Sequence, residues 1–164
     1  MSHIDEHLEV QCPLAQAALR LRHFFQSHGN AAGDVARLAL GVDLPLPGTA
    51  PLALARSVII TMQPHVLKSD MTPRYRVQWA PEEPGPFPLF AGEIVVEASE
   101  DYNDFVLRLW GDYTPPLGAL GKGFDRALGN RLASATARHL LGQIQQHIEQ
   151  AFEADEARKL PSPS

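Results

Sequence analysis

Cysteine is nearly absent from this chain of 164 residues. Cys12 is the only one, so no disulfide can form within the chain and no oxidising compartment is indicated. No apolar run approaches the ~20 residues that a membrane-spanning helix needs. The polar and acidic residues 1–7 lack the basic and apolar regions of a secretory signal. We therefore expect a cytoplasmic protein that does not insert stably into membranes.

Positive charge is also scarce. The chain has 14 Lys and Arg against 19 Asp and Glu, which gives a net charge of -5. Nucleic acids and anionic membrane surfaces are bound by clustered Lys and Arg, and the sequence contains no obvious cluster. We expect no nucleic-acid partner.

Familiar catalytic and cofactor motifs are missing as well. The glycine-rich stretch 118–123 fails the phosphate-loop pattern, because Pro116 stands at the first glycine position and Gly123 follows Lys122 where Ser or Thr is required. His3 and His7 have the i, i+4 spacing of helical metal ligands, but no third ligand is apparent. No Gly-x-Ser-x-Gly nucleophile motif occurs. We therefore predict no cofactor, no metal and no assignable catalytic residue.

Hydrophobic periodicity predicts one α+β domain. A short strand over Leu8–Cys12 precedes an amphipathic helix that ends near Gly29. Between residues 35 and 113 the period changes to two, with turn residues between the runs, which predicts five strands of an antiparallel meander. A long amphipathic helix then runs to about Glu153. We predict a single domain over residues 1–155 and a disordered tail over residues 156–164.

This order of elements, with the passage Trp110–Pro116 followed by Gly118, Gly121 and Gly123, resembles the START-like (SRPBCC) helix-grip superfamily. That superfamily includes START lipid-transfer domains, Bet v 1-like proteins and polyketide cyclases. The resemblance implies a helix-grip fold, in which a curved antiparallel sheet of about six strands wraps a long C-terminal helix. A single helix is readable between the first two strands, where many members have two. Members range from carriers to enzymes, so the fold alone fixes no activity.

The apolar positions of the predicted strands carry almost no charge. Their polar groups are the hydroxyls of Tyr75 and Tyr113 and the indole nitrogen of Trp79, which suits a hydrophobic, lipid-like or aromatic ligand held by few hydrogen bonds. The same side chains could instead fill the interior as core. The candidate ligand-binding residues are Tyr75, Trp79, Phe105, Leu107, Leu109 and Tyr113 on the strands and Leu132, Leu140 and Ile144 on the helix. The segment Pro115–Gly123 would act as a gate.

Two other functions stay open at this point. A cyclase or dehydratase would move protons through Tyr75, Tyr113 or His139. An interaction module with a filled core would use a sheet edge or apolar patch, and homodimer formation is left open. The sequence also leaves undecided which face of the strand over residues 105–113 points inward, because Val106 and Trp110 make its second face half apolar.

Overall fold

The computed structural model describes residues 2–44, 48, 52–64, 73–83, 87–114 and 126–160. The proposed gate, Pro115–Gly123, lies outside the described residues. A short 3-10 turn, Leu14–Gln16, precedes the first helix. The strands and helices are β1 (Ser2–Val10), α1 (Ala17–His28), β2 (Val35–Leu44), β3 (Leu52–Pro64), β4 (Arg74–Pro81), β5 (Leu89–Ala98), β6 (Phe105–Thr114) and α2 (Arg126–Lys159).

The strands form one curved, fully antiparallel sheet in the order β1-β6-β5-β4-β3-β2. Strands β2 to β6 form the predicted meander, and β1 pairs with β6, the last strand of that meander. The predicted α+β fold, a curved sheet of six strands wrapped on a long C-terminal helix, is confirmed. A single α-helix joins β1 to β2, as the sequence indicated.

Strand β1 begins earlier than the sequence predicted. It pairs with β6 from Ser2 opposite Tyr113 to Val10 opposite Phe105, so pairing extends the strand beyond the apolar alternation. His3 and His7 therefore lie on a strand, where residues four apart are separated by roughly 13 Å. Their i, i+4 spacing does not bring them together.

Helix α2 continues to Lys159, beyond the predicted end near Glu153. Its last turns carry ion pairs at i, i+3 spacing, one between Arg158 and Asp155 and one between Lys159 and Glu156. Basic residues also interact favourably with the C-terminal end of the helix dipole. The helix thus includes residues 156–159 of the predicted tail.

Side chains of α2 satisfy backbone groups on the edge strand β2. The Gly41 amide donates to His139 Nδ1 at 2.8 Å, and Gln143 Nε2 donates to the Ala39 carbonyl oxygen at 2.9 Å. An unpaired sheet edge is a template for further strand pairing. These bonds fasten the helix to β2 and cover part of that edge.

The opposite edge is fastened in a similar way. Gln145 Nε2 donates to the Glu9 carbonyl oxygen of β1 at 2.5 Å, and the Gln11 amide donates to Glu149 Oε1 at 2.9 Å. Helix α2 packs most closely against β1 and β2, and less against β6. The sheet therefore curls so that both of its edges meet one helix, and the middle strands β3, β4 and β5 arch away from that helix.

The structure settles which face of β6 points inward. Phe105, Leu107, Leu109 and Tyr113 are buried, whereas Trp110 lies on the outer face with 36% of its surface exposed. Among the described residues no Asp, Glu, Lys, Arg or His is buried. Apart from the tyrosines and tryptophan of the inner face, Thr136 is the buried residue with a polar side chain over that part of the chain. The interior enclosed by the sheet and α2 is therefore free of buried charge over the described part of the chain.

Candidate functional site

An aromatic row crosses the inner face of the adjacent strands β4, β5 and β6. Trp79 on β4 lies opposite Phe90 on β5, and Phe90 lies opposite Tyr113 on β6. The Trp79 and Phe90 rings stack with centroids 4.2 Å apart and an interplanar angle of 16°. Cross-strand register thus brings three aromatic residues side by side inside the arch, and two of their rings stack face to face.

A row of small residues lies beside the aromatic row. Gly92 on β5 pairs with Gly111 on β6 and with Val77 on β4. The Phe90 ring leans over both glycines, since its Cζ lies 2.6 Å and 2.9 Å from where their Cβ atoms would be. The two glycines create a hollow that allows Phe90 to lie flat and present its face to Trp79.

The three polar groups predicted from the sequence all belong to buried residues of this inner face, but their surroundings differ. The Tyr113 hydroxyl donates to Asn130 Oδ1 of α2 at 2.7 Å. Burial raises the pKa of the Tyr75 hydroxyl. The Trp79 indole nitrogen is buried and has no hydrogen-bond partner among the described residues.

All nine candidate ligand-binding residues are buried. The sheet register places Trp79 and Tyr113 in the aromatic row and Tyr75 in line with Leu109, on the far side of the glycine hollow. Both a ligand cavity and a filled core require this burial, so their role in ligand binding stays a prediction. The relative exposures are at most 9% for Tyr75, 3% for Trp79, 1% for Tyr113 and Leu132, and 0% for Phe105, Leu107, Leu109, Leu140 and Ile144.

The groups considered for acid–base chemistry, Tyr75 and His139, lie in different surroundings. Burial raises the pKa of Tyr75, which makes its phenolate, the form that could act as a base, scarcer at neutral pH. His139 Nδ1 accepts the Gly41 amide of β2, and Gln143 lies 3.2 Å from its other ring nitrogen. His139 is thus engaged in fastening α2 to the sheet edge.

Clefts lined by described residues occur outside the arch, and two of these are large. One, of about 640 Å³, is lined mainly by outward-facing residues of β3 to β6, including the exposed Ile59 and Leu89, with Trp79 and Phe90 contributing. The other, of about 550 Å³, lies between α1 and α2 and contains Arg20, which forms an ion pair with Asp155 at 3.0 Å. Neither cleft was predicted from the sequence.

A histidine pair lies in the cleft between the helices. His23 Nδ1 and His147 Nε2 are 3.3 Å apart, and the ring of His28 lies 6.1 Å from that of His147. Burial, followed by the positive charges that His23, His28 and Arg20 can carry, lowers the pKa of His147. Within the described residues, no cluster of three or more His, Cys, Asp or Glu has an arrangement that could hold a metal ion.

Neither of the two described helices contains a stretch both long and apolar enough to cross a lipid bilayer.

Comparison with known proteins identifies the fold and leaves the function open. No family model matches the chain, and no curated protein matches it. Solved structures of similar fold include an uncharacterised protein from Bacillus thuringiensis, with a TM-score of 0.53 and 15% identity over 90% of this chain and 98% of that one. A conserved protein from Geobacillus kaustophilus gives a TM-score of 0.51 at 10% identity, covering 92% and 97%. A protein from Thermus thermophilus gives 0.50 at 14% identity, covering 92% and 99%.

At these identities the likeness establishes a shared fold and nothing further. The curved six-stranded sheet with its C-terminal helix is compatible with a helix-grip architecture. The neighbours are themselves uncharacterised, so they carry no information on a ligand or an activity.

Sequence reasoning did not identify two features of the inner face. Asn130, the partner of Tyr113, is an exposed polar residue in a helix, and only the docking of α2 reveals its role. The glycine hollow depends on the pairing of Gly92 with Gly111. The sequence does place these two glycines at inward positions of neighbouring predicted strands, and that placement is the signal that could have predicted the hollow.

Proposed function

We propose that this protein binds a hydrophobic small molecule, lipid-like or aromatic, between the inner face of its sheet and helix α2. In this proposal the chain is a START-like helix-grip protein acting in the cytoplasm, and binding needs no catalytic step. The observation that carries the proposal is the arch itself: α2 is fastened to the two sheet edges, while the middle strands curve away from it.

The chemistry of the arch supports a ligand with little charge. Over the described residues the interior holds no buried ionisable Asp, Glu, Lys, Arg or His, so a charged group entering it would lose hydration without compensation. Aromatic and aliphatic side chains with few polar groups are the usual lining of small-molecule sites. The Trp79–Phe90 stack offers a flat apolar surface to such a ligand.

The test is native mass spectrometry of freshly purified protein, compared with its denatured mass. We expect an additional mass of a few hundred daltons that is released on unfolding. Val77→Phe should remove it, because Val77 lies on the inner face between Tyr75 and Trp79 and a larger ring would occupy the space. Gln78→Phe, which adds a similar ring to the outer face of β4, should keep the additional mass.

A bare mass for the wild-type protein, together with no thermal shift from lipid or aromatic probes, would contradict the proposal. The interior would then be a filled core.

A further inference from the structure

The Trp79 side chain combines deep burial with an unsatisfied donor. Only 3% of the residue is exposed, and its Nε1 atom has no partner among the described residues. A buried N–H without an acceptor destabilises the fold, and most buried polar groups in folded proteins are paired. A single unpaired indole at the centre of an apolar face therefore needs an explanation.

The neighbours of Trp79 do not supply an acceptor. In the sheet it lies between Ile60 of β3 and Phe90 of β5, both apolar. The nearest polar residue in the same row, Tyr113, donates its hydroxyl hydrogen to Asn130, and its oxygen does not accept from the Trp79 indole, whose N–H has no partner among the described residues. Of the two residues, only Trp79 keeps a buried donor unused.

We propose that the Trp79 indole N–H is the polar recognition point of the bound molecule, and that this molecule is uncharged and carries an oxygen acceptor such as a carbonyl or ether. The inference rests on the proposed function and specifies its ligand class. An indole N–H can only donate, so its partner must accept. The charge-free interior disfavours a carboxylate or phosphate at this depth.

The experiment compares two probes of nearly equal shape, 9-fluorenone and fluorene, which differ by one carbonyl group. Their affinities are measured by isothermal titration for wild type, Trp79→Phe and Trp110→Phe. Trp110 is the only other tryptophan and lies on the outer face, so its substitution is the matched control. Wild type and Trp110→Phe should bind the ketone at least about fivefold more tightly than the hydrocarbon. Trp79→Phe should bind both probes with similar affinity.

The outcomes separate this inference from the proposed function. If wild type binds fluorene as tightly as fluorenone, the cavity exists but the donor role of Trp79 is wrong. A ketone preference that persists in Trp79→Phe would assign recognition to another group and would also overturn the inference. If neither probe binds wild type and the purified protein has a bare native mass, the proposed function itself is contradicted. The wild-type comparison needs no substitution, so equal affinities for the two probes would overturn the inference even if Trp79→Phe fails to fold.

Discussion

The two tryptophans of this chain lie on opposite faces of one sheet, and they differ in solvent exposure and in the residues around them. Trp79 is 3% exposed, stacked on Phe90 and without a hydrogen-bond partner among the described residues. Trp110 is 36% exposed and pairs in register with Asp5 of β1. The inner face is organised by aromatic packing, and the outer face by polar side chains.

Ion pairs accompany Trp110 on the outer face. Arg108 Nε donates to Asp5 Oδ1 at 2.8 Å, and a second guanidinium nitrogen lies 3.5 Å from Glu97 Oε1. These three residues link β1, β6 and β5 across their solvent side. The inner face carries no charge, so substitutions on the two faces should change the free energy of unfolding by different amounts. Their effects should also depend differently on salt and pH.

The largest difference should come from truncating adjacent residues of β6. Leu107 is fully buried and Val106 is half-buried on the opposite face. We expect Leu107→Ala to lower the free energy of unfolding by about 2–5 kcal/mol, through lost burial and a new cavity. Val106→Ala should cost less than about 1 kcal/mol. Urea denaturation measures both, and equal losses would show that the assignment of the faces is wrong.

A smaller effect is expected from filling the glycine hollow. A Cβ on Gly92 would collide with the Trp110 carbonyl oxygen and lie 2.6 Å from Phe90 Cζ. Gly92→Ala should therefore cost about 1–3 kcal/mol and disturb the Trp79–Phe90 stack, which near-ultraviolet circular dichroism would detect. Gly142→Ala is the control, because no atom lies within 4 Å of its added Cβ. That helical substitution should stabilise the protein by up to about 1 kcal/mol.

Next in size is a pH effect at the helix cleft, outside the charge-free interior. The pKa of His147 is lowered on folding, so the unfolded chain binds the proton more readily. The contribution of His147 to the free energy of unfolding is fully present above its ordinary pKa near 6.5. That contribution is lost as the pH falls below this value. His147→Gln should weaken the fall in thermal midpoint between pH 7.5 and pH 5. Identical profiles for His147→Gln and wild type would refute the expectation.

The smallest effect is expected at the outer-face ion pairs. Hydrogen bonding to Arg108 lowers the pKa of Asp5 below its ordinary value of 3.8, so the pair stabilises the fold above that pH and loses its effect as the pH falls further. Asp5→Asn should shift the urea midpoint slightly at low salt. In 1 M NaCl the shift should vanish, because exposed charges are screened. A shift that survives high salt would indicate a role in packing.

Much of the fold follows from local patterns in the sequence. Alternation along Tyr75, Val77 and Trp79 predicted both the strand and its buried face, and the structure confirms them. Alternation did not orient β6, because Val106 and Trp110 are apolar on the side that proves to face outward. Only pairing with β1 and β5, which places Arg108 beside acidic partners, resolves the choice.

The detail of the candidate site depends on contacts distant in sequence. The stacking of Phe90 on Trp79 requires the register of the β4–β5 pair, and the bond from Tyr113 to Asn130 requires the docking of α2. Neither can be read from residue periodicity. The sequence did identify the residues that carry the polar groups of the inner face, because tyrosine and tryptophan stood out among aliphatic neighbours at inward positions.

The most direct test follows the two indole N–H resonances of ¹⁵N-labelled wild-type protein by NMR during titration with 9-fluorenone. Trp79→Phe and Trp110→Phe assign the two signals. If the inner face is the binding site, the Trp79 resonance will shift with saturation and the Trp110 resonance will stay in place. A shift confined to Trp110, or no shift of either resonance at saturating probe, would contradict ligand binding within the arch.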